Sequence, residues 1–156
     1  MALATFAAGC FWGVEAEFAR LPGVSSTEVG YTGGTTADPT YRKVCSHKTG
    51  HAEAVRVEYD PEAIGYEQLL KEFFTMHDPT QRGRQGPDVG DQYRSAVFFH
   101  TPEQQTAAAE MIRSLDAEGR FKRPVATEVV PAGDWWPAEE EHQKYFAKRG
   151  RAGCSL

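Results

Sequence analysis

Cysteine is scarce. The chain carries three in 156 residues, at positions 10, 45 and 154. Small domains that rely on disulfides carry a dense and even set. An odd, widely spaced trio excludes such a framework and fits reduced thiols, two of which could act as a redox pair. Long apolar runs are also missing, and none approaches the roughly 20 residues of a membrane-spanning helix. The first residues lack a basic segment followed by an apolar one, so no secretory signal is expected and the cytoplasm is the default location. Positive charge is in deficit: 17 Lys and Arg against 22 Asp and Glu leave a net charge of -5. That balance argues against nonspecific binding of nucleic acid. Internal repeats and low-complexity tracts are absent too.

What remains is an ordinary soluble composition, 40% apolar and 25% charged. A chain of this length is expected to form one domain, residues 1–156, large enough to bury a core, with a monomer as the default assembly. Its most distinctive stretch is Gly9-Cys10-Phe11-Trp12-Gly13. Ahead of it the short apolar run Leu3 to Ala8 reads as a buried strand. Behind it Val14, Phe18 and Leu21 recur at helical spacing. Cys10 is therefore expected where a strand turns into a helix. The uncovered N–H groups and partial positive charge of a helix start favour an anion, so a cysteine placed there can be a thiolate at neutral pH. The competing reading is a buried structural cysteine.

The rest of the chain alternates between strand and helix signals. Strands are expected over Ser26–Thr32, Ala54–Tyr59, Arg94–His100 and Ala126–Val130. Tyr66, Leu69, Leu70, Phe73, Phe74 and His77 mark one face of a second helix. Thr101 and Pro102 cap and start a third, with Ala108, Met111, Ile112 and Leu115 as its stripe. A short helix is expected over Glu139–Ala147. Residues 35–51 and 78–92 read as two long ordered loops, which in a compact domain are usually functional. The order predicts an α+β two-layer sandwich, a mixed sheet with helices mainly on one face. The end of the chain, 148–156, reads as a basic, irregular and mobile tail.

Several residues could carry chemistry. Glu53 is flanked by Ala52, Ala54 and Val55, and a carboxyl desolvated in this way stays protonated and can donate a proton. An outward-facing glutamate on an exposed strand face is the alternative. Tyr31, Tyr41 and Tyr93 fall in or beside the loops, where a phenol can hold a polar substrate oxygen without carrying charge. Cys45, His47 and His51 invite a metal reading, but no second cluster completes a ligand set, and no metal is expected. His77 and His100 read as structural histidines, and Trp135-Trp136-Pro137 as a packing anchor. Cys154, in the tail, could reach a sulfenic acid and resolve it to a disulfide; an idle terminal thiol is the alternative.

Taken together, these stretches resemble the peptide methionine sulfoxide reductases of type A. The resemblance runs through Gly9-Cys10-Phe11-Trp12-Gly13, Gly30-Tyr31-Thr32-Gly33-Gly34, Pro39-Thr40-Tyr41 with Val44-Cys45, and Thr49-Gly50-His51-Ala52-Glu53. It continues through His77-Asp78-Pro79-Thr80, Arg84-Gln85-Gly86, Asp88, Gly90, Gln92-Tyr93-Arg94-Ser95, Ala138-Glu139 and His142-Gln143. It implies a ferredoxin-like core and a role for each matching position. Cys10 would be the nucleophile, Glu53 the acid that protonates the sulfoxide oxygen, and Tyr41 and Tyr93 its hydrogen-bond donors. Phe11 and Trp12 would line the methyl pocket, and Asp88 would orient the substrate. Cys154 would be the resolving cysteine, and Cys45 a structural thiol. The substrates implied are the S epimer of methionine sulfoxide, free or in oxidised proteins and peptides. The reductant would be thioredoxin or a similar dithiol, with no metal or organic cofactor.

The chain departs from the family pattern at Gln81, Gly83 and Asp91, and has a single tail cysteine where some members carry two. Two other function classes stay open on the residues alone. A cysteine hydrolase would need a histidine base beside Cys10. A peptide-binding module would use the Trp and Tyr residues as a platform and consume no reductant.

Overall fold

Strand β1 (Ala2–Ala8) is the centre of the sheet, with Ala4, Phe6 and Ala7 fully buried. A run of apolar residues without polar alternation suits a strand covered on both faces. The structure, a computed structural model, describes residues 1–149. Cys154 and nearly all of the expected tail lie outside the described residues. After β1 come α1 (Phe11–Ala19), β2 (Val24–Thr32), α2 (Tyr41–Cys45), β3 (Ala52–Tyr59) and α3 (Tyr66–Thr75). A two-residue hairpin follows, β4 (Arg84–Gln85) and β5 (Asp88–Val89), then β6 (Ser95–Phe99) and α4 (Pro102–Glu118). The described part closes with β7 (Glu128–Pro131), β8 (Trp136–Pro137) and α5 (Tyr145–Lys148).

Among the described residues, six strands form one mixed sheet in the order β7-β6-β1-β3-β2-β8, with β6–β7 parallel and the other pairs antiparallel. Both β1 and β2 run antiparallel to β3, so they are parallel to each other with β3 between them. The inner order β6-β1-β3-β2, with α1 and α3 as crossovers, is the ferredoxin-like plan. This is the expected α+β sandwich.

The two faces of the sheet are covered differently. On one, Phe6, Val29, Val55, Val57 and Val97 meet Phe18 of α1, Leu69, Leu70 and Phe73 of α3, and Ala108 of α4. Phe6 stacks on Phe18 with ring centroids 4.9 Å apart, and each such buried side chain contributes about 1.5–3 kcal/mol. On the other face the inward residues are small: Ala7, Ala52, Ala54 and Ala96, with Phe98. Here Val130, Ala132 and Trp135 from the extended segment around β7 and β8 take the place of helices. Trp135 is the packing anchor expected: the Arg56 guanidinium lies 5.0 Å from its ring centroid and its Nε1 donates to Glu28. Gly30 makes this possible, because a Cβ there would lie 2.6 Å from the Trp135 ring.

Local chemistry explains where helices start and stop. Thr101 caps α4 by accepting the Gln104 N–H at 3.1 Å, Pro102 opens it, and Gly119 ends it in the left-handed region at φ 65°. Three expectations are corrected. Residues 35–51 are not one loop, since α2 lies within them, started by Thr40, whose hydroxyl accepts the Lys43 N–H. A single turn is too short to show a periodicity. Residues 78–92 hold the β4–β5 hairpin and a 3₁₀ turn at Asp91–Tyr93. The helix expected over Glu139–Ala147 is broken into a 3₁₀ turn at Glu140–His142 and the short α5, because Lys144 adopts φ +54°.

Candidate active site

Cys10 is the N-cap residue of α1, half-buried at the end of β1, as expected for a strand-to-helix turn. The turn needs Gly9, which sits at φ +97°. The next residue, Phe11, donates its N–H to Glu53 Oε1 at 3.2 Å. Thus the first helical N–H is bound by a carboxyl group rather than left open beside the thiol.

Glu53 lies on β3 opposite Tyr31, on the helix-covered face, and is 1% exposed. The outward-facing alternative is therefore excluded. Burial pushes its pKa up to about 8, against the Phe11 N–H, which pulls it down; the nearby Asp88 charge adds to the rise. At pH 7 the neutral acid predominates. Its Oε2 is buried and has no hydrogen-bond partner among the described residues. Asp88, in β5, shares with Cys10 a groove of about 560 Å³, lined also by Ala8, Gly13, Val14 and Gln85.

Tyr41 opens α2 and Tyr93 ends the 3₁₀ turn, and both are half-buried. Burial, then the Glu53 charge, holds both phenols above their ordinary range. They remain neutral donors. Both phenols act on the Cys45 thiol, pulling its pKa down against the burial that pushes it up. The rings of Phe11 and Trp12 lie 6.4 and 6.2 Å from that of Tyr41. Phe11 is fully buried and Trp12 half-buried. The structure thus brings Cys10, Phe11, Trp12, Tyr41, Glu53, Asp88 and Tyr93 into one region.

Two residues without an assigned role hold this region together. Glu139 accepts the Tyr31 hydroxyl at 2.8 Å and the Tyr41 N–H at 3.0 Å. Burial raises its pKa, but these bonds hold it below the usual carboxylate range. His142 Nδ1 accepts Trp12 Nε1 at 3.0 Å, and its ring lies 4.3 Å from Tyr41. These contacts join residues about 100 apart in the chain, and no local pattern marks them. The sequence signal for that segment is its match to the family pattern at Ala138-Glu139 and His142-Gln143.

The other histidines are engaged elsewhere. His77 bonds the Phe73 carbonyl and Ser95, and burial lowers its pKa to about 4. His100 bonds Thr5, His47 bonds Gln92, and His51 takes the Gly34 N–H and the Thr36 carbonyl. Both His51 ring nitrogens are thereby used, which takes it out of the Cys45, His47, His51 set. Among the described residues, Glu139, Glu141 and His142 bring ligand atoms within 4.8 Å of one another. The bonds of Glu139 and His142 already hold Tyr31, Tyr41 and Trp12 in place.

Residues 2–156 match the family described as peptide methionine sulfoxide reductase. A relative from Acidobacterium capsulatum, named peptide methionine sulfoxide reductase MsrA, is 58% identical over 156 residues, the whole of both chains. The crystal structure of Mxr1 from Saccharomyces cerevisiae in reduced form superposes with a TM-score of 0.90 at 32% identity, covering 98% of this chain and 88% of that one. Mxr1 in complex with Trx2 gives 0.65 at 25% identity, over 92% and 84%.

Proposed function

The chain belongs to the peptide methionine sulfoxide reductase family, and is an oxidoreductase; on that premise we propose that it repairs methionine S-sulfoxide, protein-bound or free, through a sulfenic acid on Cys10. Cys154 resolves the sulfenic acid to a disulfide, and a thioredoxin-like dithiol reopens it.

The observation that carries this reading is Glu53, a 1% exposed carboxyl bonded to the N–H of the residue following Cys10, whose burial pushes its pKa up to about 8. A sulfoxide oxygen is a poor leaving group until it is protonated. Glu53 supplies that proton, and the neutral Tyr41 and Tyr93 hydroxyls hold the oxygen by hydrogen bonds. Such acid catalysis is worth roughly 10²- to 10⁴-fold. A neutral acid also avoids placing a second negative charge beside the thiolate. Phe11 and Trp12 provide the apolar wall for the substrate methyl group, and Asp88 orients the substrate from the groove shared with Cys10.

In the first half-reaction the Cys10 sulfur attacks the sulfoxide sulfur and ends carrying the oxygen as Cys10–SOH. The substrate gains two electrons and leaves as the thioether. In the second, the Cys154 thiol displaces hydroxide from Cys10, forming the S–S bond and releasing water. The external dithiol then takes up the disulfide oxidation by exchange. The Mxr1 complex with Trx2 supports a thioredoxin as that dithiol. The test supplies the enzyme with thioredoxin, thioredoxin reductase and NADPH, and offers separated sulfoxide epimers. NADPH oxidation with the S epimer and none with the R epimer is the expected result. Oxidation with neither would refute the reading.

A further inference from the structure

Gln85 joins three parts of the molecule through one side chain. Its Oε1 accepts the Asp78 N–H at 2.9 Å, and its Nε2 donates to the Asp78 carbonyl at 2.8 Å. The amide thus pairs with this backbone as a neighbouring strand would. Its methylenes rest on Gly9, the residue before Cys10: a Cβ at position 9 would lie 2.9 Å from Gln85 Cγ and 3.0 Å from Gln85 Cβ. Within the hairpin Gln85 is the register partner of Asp88, across the turn Gly86-Pro87. Directly opposed residues carry their side chains on the same face, and both line the groove that holds Cys10.

The hairpin needs such a hold. Its strands have two residues each and, among the described residues, pair only with each other. An isolated two-stranded hairpin is marginal in water. The base that Gln85 grips is firm. Asp78 Oδ1 accepts the N–H and the hydroxyl of Thr80 at 3.0 and 2.6 Å. The Pro79 carbonyl accepts the Ala126 N–H at 2.8 Å, and His77 bonds Ser95 of β6 at 2.7 Å. Two further bonds tie the hairpin to its own loop: Gln81 Oε1 accepts the Gly86 N–H at 2.7 Å, and the Gly83 carbonyl accepts the Gly90 N–H at 2.9 Å. Gln85 instead ties it to the segment after α3 and to the Cys10 turn.

We propose that Gln85 is a positioning residue for sulfoxide reduction: its amide and methylenes fix the hairpin against the Cys10 turn, and so set Asp88 in the groove relative to the thiol. The inference rests on the reading above, in which Cys10 attacks the sulfoxide and Asp88 orients the substrate. Gln85 acts through Asp88 rather than on the substrate. A displacement of about 1 Å in such a site costs up to about 10²-fold in rate. Without the amide both bonds to Asp78 are lost, and the groove wall beside Cys10 loosens.

The test compares full-length wild type with Gln85→Ala, which removes the amide and the packing on Gly9, and with Gln85→Met, which removes the amide and keeps the packing. The constants kcat and KM are measured for a methionine S-sulfoxide peptide with dithiothreitol as reductant. The expected result is a fall in kcat/KM of about 10- to 100-fold in Gln85→Ala and a smaller one in Gln85→Met, with circular dichroism unchanged. Asp88→Asn and the double variant Gln85→Ala/Asp88→Asn complete a cycle. Asp88→Asn should lose at least as much as Gln85→Ala, and the double variant no more than Asp88→Asn, because both changes act through one carboxylate. Iodoacetamide labelling of Cys10 in the reduced enzyme, read by peptide mapping, needs no turnover and should be faster in Gln85→Ala. A wild-type kcat/KM or an unchanged labelling rate in a folded Gln85→Ala overturns the proposal. So does a double variant whose loss is the product of the two single losses, which would mark a merely structural role. Failure of the underlying reading shows in the wild type instead, as no methionine formed, and the labelling rate then decides alone whether Gln85 holds the hairpin.

Discussion

Phe11 donates its backbone N–H to Glu53 Oε1 at 3.2 Å, joining the first turn of α1 to β3 across 42 residues. The bond places a buried acid next to Cys10. Glu53→Gln keeps the shape and the bond but has no proton to give. Its single-turnover methionine formation is expected to fall by roughly 10²- to 10⁴-fold. In wild type the same rate should hold below pH 8 and decline above it, since the acid must be protonated and its pKa is about 8. A pH profile from 6 to 10 with stopped-flow mixing measures both.

The same pKa predicts that stability, too, depends on pH. The folded state holds the Glu53 proton more tightly than the unfolded chain, so wild-type stability falls as pH rises from the ordinary carboxylate range towards 8. At about 1.4 kcal/mol per pKa unit the cost reaches up to about 5 kcal/mol. Glu53→Gln is spared it. The variant should be more stable than wild type at pH 9 and lose that advantage by pH 4, as read by urea unfolding at both values.

Tyr41 and Tyr93 are expected to act through their hydroxyls alone. Each neutral hydrogen bond is worth about 0.5–1.5 kcal/mol, so each single change to Phe should lower kcat/KM by about 2- to 10-fold. The double variant should lose more than either. Circular dichroism should show no change in fold.

Glu139 is expected to matter through the residues it holds. Glu139→Ala removes the acceptor of both the Tyr31 hydroxyl and the Tyr41 N–H. Losing hydrogen bonds to a charged acceptor costs about 1.5–3 kcal/mol. The urea midpoint should fall accordingly, and kcat/KM should drop with it because Tyr41 is no longer fixed at the start of α2.

Gly30→Ala tests the cover on the second face of the sheet. The added Cβ would lie 2.6 Å from the Trp135 ring and from the Trp136 carbonyl. Overpacking of this kind costs about 1–3 kcal/mol. A lowered melting temperature with altered tryptophan fluorescence is the expected outcome.

Much of this arrangement was legible in the sequence where a signal is local. The apolar run before Cys10 reads as a strand because a doubly covered strand has no polar alternation, and Thr101-Pro102 reads as a helix start because capping uses adjacent residues. Glu53 among alanines hinted at desolvation, though only the pairing of β3 with β2 shows that it faces the helices. What stayed hidden depends on distant contacts. Nothing near Glu139 indicates that it receives Tyr31 and Tyr41. The neighbours of Cys45 suggest a structural thiol and do not reveal that the phenols of Tyr41 and Tyr93 influence it. Two-residue strands such as β8 carry no pattern of their own, and Lys144, where the expected helix breaks, contacts Glu15, which lies 129 residues away in the chain.

The central claim is that Cys10 takes the sulfoxide oxygen and Cys154 resolves the product. Its most direct test is to mix reduced enzyme with a methionine S-sulfoxide peptide, without reductant, and read both products by mass spectrometry. The account predicts about one equivalent of methionine per chain and a disulfide linking Cys10 to Cys154, with Cys45 still reduced. No methionine, with Cys10 still a reactive thiol, would contradict it.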